Sequence, residues 1–310
     1  MTDRSIDLTK CLFQYASADC SRCEDICPQK AITWHAIDKD ACDGCGLCTA
    51  VCPTGAVVAN VDYAQGLQEL MEKERPLLVC KEVRKSDFPC LGFLNKRILW
   101  SLAREKDIYL ELSHCTDCRP TVHDWLKQEA DACNAALRGE NVETRVHLVR
   151  VKGEKREKKA FMERGVARRG LLHALFHAAQ DEVVEVEKRQ AAALGVDFDA
   201  AVFVKERVGD LSAREIPPLF QGIDVGAKCN ACGLCASVCP EEALECDWAV
   251  KVVTFHPLKC TGCGICTDTC GQNALKLLPE FDGRVSFIQS AHAQKSQKEE
   301  EKENGTDDNN

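Results

Sequence analysis

Cys42-Asp-Gly-Cys45-Gly-Leu-Cys48-Thr-Ala-Val-Cys52-Pro-Thr-Gly-Ala56-Val57 spaces four cysteines by two, two and three residues and closes on Cys-x3-Ala followed by an aliphatic residue. The run returns at Cys229, Cys232, Cys235 and Cys239, and again at Cys260, Cys263, Cys266 and Cys270. A fourth copy is stretched at its start: Cys11, then eight residues to Cys20, then Cys23 and Cys27. All four end alike, in Cys27-Pro-Gln-Lys-Ala-Ile, Cys52-Pro-Thr-Gly-Ala-Val, Cys239-Pro-Glu-Glu-Ala-Leu and Cys270-Gly-Gln-Asn-Ala-Leu. Cysteines two residues apart let a tight loop turn three thiolates towards one compact centre. Gly44, Gly46, Gly233, Gly262 and Gly264 give these loops turns that a β-carbon would hinder. Proline after three of the terminal cysteines suits a first helical position, where no N–H is needed.

This spacing resembles that of the bacterial two-cluster ferredoxins, twice over, with polyferredoxin-type electron-transfer proteins as the nearer relatives. The resemblance covers residues 1–62 and 220–288 and implies four [4Fe–4S] clusters held by sixteen of the 22 cysteines. In that family the last cysteine of each run ligates the neighbouring cluster. Carried over, Cys11, Cys20 and Cys23 join Cys52, and Cys42, Cys45 and Cys48 join Cys27. In the second unit Cys229, Cys232 and Cys235 join Cys270, and Cys260, Cys263 and Cys266 join Cys239. Zinc is the main rival for paired cysteines, but its sites take four ligands from two knuckles rather than from one four-cysteine run. The long gap after Cys11 and Gly271 in place of proline are the two departures from the pattern.

Length and composition narrow the rest. A chain of 310 residues has room for two to three domains. Disulfide frameworks belong mainly to short secreted chains, and Met1–Lys10 lacks the apolar core of a secretory signal. No apolar run approaches the ~20 residues of a membrane helix. The expectation is a cytoplasmic protein without a membrane span. Net charge is −9, but Arg150–Arg169 holds nine Lys or Arg against Glu154, Glu157 and Glu163. Interleaved charges of this kind fit a solvated helix surface better than a nucleic-acid patch. The polar tail from Ser290 has almost no residues to bury and is expected to be disordered.

The segment between the two units has another rhythm. Pro76–Cys80 is a short apolar run, and Gly92–Lys106 shows helical apolar spacing. Asp107–Ser113 alternates as a strand does; Pro120 opens a helix through Leu137, and Val142–Val151 alternates again. The order predicts a small parallel sheet with right-handed crossovers. Further expectations are a helix over Arg168–Gln190, a strand over Asp197–Val208 and a hinge at Pro217-Pro218. The fold class is therefore α+β: two ferredoxin-like 2[4Fe–4S] units, 1–62 and 220–288, flank an α/β middle domain, 63–152. A basic linker and helix follows over 153–219, and the tail occupies 289–310.

Cys80, Cys90, Cys115 and Cys118 all fall where this sheet's carboxyl edge would gather them, the usual ligand edge of open α/β folds. They could hold a fifth site, a [2Fe–2S] cluster or zinc, act as a dithiol, or simply be packed. The layout loosely resembles the [2Fe–2S] subunit that links hydrogenase to heterodisulfide reductase. Cys133 and Cys246 stand alone and read as packing residues. His114 and His123 read as surface or capping groups, and His173 and His177 as helix packing. No G-x-G-x-x-G follows a strand, and no phosphate-binding G-x4-G-K-[ST] occurs. The functional expectation is a non-catalytic iron–sulfur subunit that carries electrons between redox protein partners. The alternative is an oxidoreductase working at the middle cysteines.

Overall fold

The protein's structure is a computed structural model describing residues 4–14, 20–83, 86, 88–150 and 198–288. The chain opens with β1 (Arg4–Ile6), a short helix α1 (Arg22–Ile26), strands β2 (Ile32–Thr33) and β3 (Ala36–Ile37), helix α2 (Leu47–Val51) and strand β4 (Val57–Ala59). β1 and β4 pair antiparallel, with Ile6 opposite Val57, and β2 and β3 form a hairpin. Cys23, Ile32, Cys48 and Val57 form a small buried cluster of their own here.

The middle of the chain builds a parallel sheet. Helix α3 (Tyr63–Met71) starts at Asp62, whose carboxylate accepts the Gln65 N–H. Then come β5 (Leu77–Leu78), α4 (Lys96–Ala103), β6 (Ile108–Glu111), the helical turn α5 (Cys115–Cys118), α6 (Pro120–Gly139) and β7 (Val146–Val149). The strand order is β5–β6–β7, all parallel, with Leu78 opposite Leu110 and Leu110 opposite Leu148. Asn95 caps α4 by accepting from the Arg97 and Ile98 amides, and Pro120 occupies the first turn of α6. Both helices bury their apolar faces, Ile98, Leu99 and Leu102 from one and Val122, Leu126, Ala130 and Leu137 from the other.

Residues 198–219 depart from the sequence expectation. Instead of a strand over Asp197–Val208, the chain forms helix α7 (Ala200–Val208), because Asp199 accepts the Ala201 and Val202 amides at 2.7 and 3.1 Å. Within the span expected as basic linker and helix, Phe198, Phe203, Val204, Ile216, Leu219 and Phe220 are buried in the main core. The remaining basic run, the helix expected over Arg168–Gln190, His173, His177 and the tail lie outside the described residues.

The C-terminal part contains β8 (Gly222–Val225), α8 (Leu234–Ser237), β9 (Leu244–Asp247), β10 (Val252–Phe255), α9 (Ile265–Asp268), β11 (Leu275–Leu278) and β12 (Ser286–Ile288). β9, β10 and β12 form one antiparallel sheet, and β8 pairs with β11 in another. Phe255, Phe281 and Phe287 join the same core as Trp100 and Phe220. Among the described residues no helix is long and apolar enough to cross a membrane.

Candidate metal centres

The four Cys-x3-Ala endings share one backbone device. The residue just before each alanine is left-handed: Lys30 at φ 51°, Gly55 at 61°, Glu242 at 50° and Asn273 at 46°. A non-glycine residue pays roughly 1–2 kcal/mol for that conformation. The turn aims the alanine amide back at the cysteine. Ala31 N–H donates to Cys27 Sγ at 3.3 Å, Ala243 to Cys239 at 3.2 Å and Ala274 to Cys270 at 3.4 Å. At the fourth ending the Thr54 hydroxyl lies 3.9 Å from Cys52 Sγ. All four alanines are buried, so a small side chain is needed where the chain folds over the thiol. Hydrogen bonds to sulfur are one of the means by which a protein sets a cluster's potential.

The terminal cysteine of one run meets three from the next. Cys11, Cys20, Cys23 and Cys52 line one cavity with Ile6, Arg22, His35 and Val57. Cys27, Cys42, Cys45 and Cys48 line a second with Arg4, Ile32 and Leu47. Cys239, Cys260, Cys263 and Cys266 line a third with Ile223, Phe255 and Leu277. Around the remaining run, burial first and then the neighbouring Cys229 push the Cys235 thiol up to about 11. Strand pairing links that loop to the chain after Cys270: Leu275 faces Val225, the Gly226 amide donates to Ala274 O, and the Cys229 amide donates to Gly226 O.

The donor set suits a cationic cluster. Burial and mutual repulsion raise the Cys23, Cys45 and Cys266 thiols to about 12. Four thiolates in such a space are costly unless iron compensates their charge. Cys11, set apart by its long gap, stands in the same cavity wall as Cys20, Cys23 and Cys52, with His35 Nδ1 3.7 Å from its sulfur.

Four arginines near these loops were not singled out by the sequence reading. Arg4 is buried, donates to Thr49 Oγ1 at 2.7 Å and to the Tyr63 hydroxyl, and lines the second cavity. Arg22 lines the first cavity, and its Nη2 donates to Gly262 O at 2.6 Å. Arg97 donates to Cys260 O at 2.8 Å and lies over the Phe220 ring; burial pulls its guanidinium down to about 10. Arg119 grips Asp43 through Nε at 2.9 Å and the Asp43 carbonyl through Nη2 at 2.8 Å. Burial works to raise the Asp43 carboxyl, but Arg119 outweighs it and holds it below the usual range. Only Arg22 and Arg119 sit beside cysteines in sequence, and that adjacency was the one available signal.

Trp248 and Cys246 border the loop of Cys229 and Cys232. Trp248 roofs the left-handed Gly233 so closely that a β-carbon there would sit 2.4 Å from its ring. Cys246, expected only to pack, lies 3.3 Å from the Ala231 carbonyl and donates its S–H to it. Cys133 is buried on α6, as its sequence setting suggested.

The middle cysteines do gather at the carboxyl edge of the parallel sheet. Cys80 and Cys90 are buried, Cys115 is half-buried and Cys118 exposed. Burial, then the proximity of Cys80 and Cys90, pushes the Cys115 thiol up to about 12. Among the described residues no three His, Cys, Asp or Glu side chains converge as ligands of a single metal ion do. The group adjoins the second cavity directly. A β-carbon on Gly92 would lie 2.4 Å from Cys45 O, and one on Gly46 2.9 Å from Phe93 N. Arg119 also donates to Cys118 Sγ at 3.7 Å, so one side chain touches both places.

Comparison with known proteins agrees with this geometry. Residues 16–63 match the LdpA Fe–S cluster-binding domain, and residues 228–284 match the 4Fe–4S dicluster domain. Light dependent period A of Synechococcus elongatus is 45% identical over 50 residues, 15% of this chain and 14% of that protein. Pyruvate synthase subunit PorD of Methanothermobacter marburgensis is 40% identical over 53 residues, 17% of this chain and 58% of that protein. An uncharacterized ferredoxin of Methanocaldococcus jannaschii is 31% identical over 64 residues, 18% of this chain and 75% of that protein. The chain thus spans less than two thirds of the first two relatives. No solved structure matches it. Cysteine runs, thiol-lined cavities and a ferredoxin matched over most of its length lead to one conclusion: the chain belongs to the ferredoxin-type [4Fe–4S] electron-transfer proteins.

Proposed function

We propose that this protein relays electrons through four [4Fe–4S] clusters, as a subunit or partner of a cytoplasmic oxidoreductase complex. The carrying observation is that three cavities each combine three cysteines of one run with the last cysteine of its neighbour. On this reading two ferredoxin-like units, 1–62 and 220–288, flank the α/β middle domain. Cys11, Cys20, Cys23 and Cys52 hold one cluster; Cys27, Cys42, Cys45 and Cys48 the second; Cys239, Cys260, Cys263 and Cys266 the third; Cys229, Cys232, Cys235 and Cys270 the fourth. Bound there, the clusters supply one-electron storage. The chain's own residues orient the thiolates, exclude water with Val57, Leu47 and Phe255, and place amides and arginines against the negative charge. PorD is named as a subunit of pyruvate synthase, which favours the subunit role, with redox proteins as donor and acceptor. Anaerobic purification followed by analysis should give about sixteen irons and as many sulfides per chain. About four irons with stoichiometric zinc would overturn the reading.

A second reading rests on the contact of Cys90-Leu91-Gly92 with Cys45-Gly46 and on the reach of Arg119 from Asp43 to Cys118. It gives Cys80, Cys90, Cys115 and Cys118 a redox or metal role of their own: a dithiol or a [2Fe–2S] cluster fed by the second cluster, or a redox-inert zinc site. Replacing Cys115 with Ser tests it. Loss of partner-to-partner electron flow, or of iron or zinc beyond the four cubanes, supports this role; unchanged flow and metal content remove it.

A further inference from the structure

We infer that electrons pass between the two cysteine-rich regions at a single junction, where the cavity of Cys11, Cys20, Cys23 and Cys52 meets that of Cys239, Cys260, Cys263 and Cys266, with Arg22 spanning the gap. The inference rests on the reading that both cavities hold clusters. Arg22 stands between two ligands of the first, Cys20 and Cys23, and lines its wall. Its guanidinium reaches the carbonyl of Gly262, which lies between Cys260 and Cys263. One side chain therefore connects the wall of one cavity to the loop enclosing the other.

The surroundings fix that approach from both sides. Arg97 donates to Cys260 O, and Asn95, two residues earlier, donates to Ala50 O on α2. Helix α4 thus ties the N-terminal loop to the C-terminal one. Cys52 and Pro53 share a cleft with Thr261, whose buried hydroxyl has no hydrogen-bond partner among the described residues. Of the cysteines, only Cys52 lines this cleft. Cys45 and Asp43 of the second cavity face Gly92 and Arg119 of the middle domain. Cys232 of the fourth set is exposed to solvent. On this inference the electron path runs in the order Cys27 set, Cys11 set, Cys239 set, Cys229 set.

Electron transfer between centres falls steeply with separation, so the place where Arg22 joins the two cavities sets the route. One cluster loses the electron that its neighbour gains; no bond is made or broken and no proton moves. Arg22 places a positive charge between two anionic centres and lowers the repulsion an extra electron meets there.

The test is pulse reduction of the intact anaerobic chain, with iron analysis of the same sample. Arg22→Gln should keep all four clusters and slow equilibration between the regions by about tenfold, while Arg22→Lys loses less. Arg284→Gln, which alters an exposed arginine paired with Asp224 and Asp282, should leave the rate unchanged. An unchanged rate in Arg22→Gln with full iron overturns the inference. Electron paramagnetic resonance of the fully reduced wild-type chain gives a second readout. One inter-region pair should couple as strongly as the pairs within a region, and Cys20→Ser should abolish that coupling. Weak inter-region coupling overturns the junction even if Arg22→Gln loses a cluster. A wild-type chain short of four clusters fails the underlying reading instead.

Discussion

The N-terminal and C-terminal cysteine-rich regions place the same cysteine pattern on different supports. Around Cys11–Cys27 the strands are two or three residues long, and the local core is four residues, two of them the cysteines Cys23 and Cys48. The C-terminal region pairs four-residue strands and sets Phe255, Phe281 and Phe287 into the core shared with the middle domain. Large apolar side chains stabilise folding whether or not metal is present. Buried thiols offer little of that and repel one another once ionised. The ligand pattern is portable, but the stability of each copy comes from what surrounds it.

The largest expected effect breaks the two regions apart. Removing iron with a chelator under anaerobic conditions should unfold the N-terminal region while the C-terminal strands persist, since metal binding and folding are coupled where the metal replaces a core. Limited proteolysis with mass analysis reads this directly. First cuts should fall before about residue 42, and later cuts in 220–288. Simultaneous loss of both regions would show that the difference in their cores does not govern their stability.

How much of this was legible beforehand divides along the same line of local against distant. The three parallel strands and their two helices followed from apolar periodicity, because Leu78, Leu110 and the buried faces of α4 and α6 obey it. Asp199–Val208 misled because Val202, Phe203 and Val204 favour strands, yet the Asp199 cap and the packing of Phe203 and Val204 prevail. The cysteine runs were readable because each is local. Arg22 and Arg97 were not, because their carbonyl partners lie 240 and 163 residues away. No spacing rule reaches that far.

A single-cluster effect comes next. Cys11→Ser should lower iron by about one to four atoms of roughly sixteen, and thermal loss of the N-terminal region should follow at a lower temperature. Cys260→Ser should cost the same iron but leave the C-terminal sheet intact, because its apolar core remains. Full iron in Cys11→Ser would remove Cys11 from the ligands. Equal loss of structure in both variants would erase the contrast between the regions.

Glycine substitutions probe the contrast more gently. Gly92→Ala drives a β-carbon to 2.4 Å from Cys45 O, between the N-terminal loop and the middle domain. Overpacking of this kind costs about 1–3 kcal/mol. Gly271→Ala meets nothing within 4 Å among the described residues and should be neutral or stabilise slightly, by about 0.4–1 kcal/mol. Chemical denaturation of the holoprotein compares them. A neutral Gly92→Ala would mean that the two loops are not in close contact.

The smallest effect concerns the left-handed residue before each alanine. The N-terminal region uses Lys30 and Gly55 there, the C-terminal region Glu242 and Asn273. Gly55 is constrained twice, since a β-carbon would meet the Asp199 side chain at 2.9 Å as well as the strained φ. Asn tolerates this conformation better than Glu does. Glu242→Gly should relieve about 1–2 kcal/mol of backbone strain, less the roughly 0.5–1 kcal/mol of flexibility that glycine adds to the unfolded chain. The net gain is between zero and about 1.5 kcal/mol. The partner of its carbonyl, Lys259 Nζ at 3.3 Å, is kept, so nothing else is lost by removing the side chain. Asn273→Gly should change stability less. If Glu242→Gly instead destabilises the holoprotein, the Glu242 side chain supports the third cluster in its own right, and the four endings are alike in backbone shape but not in what holds that shape.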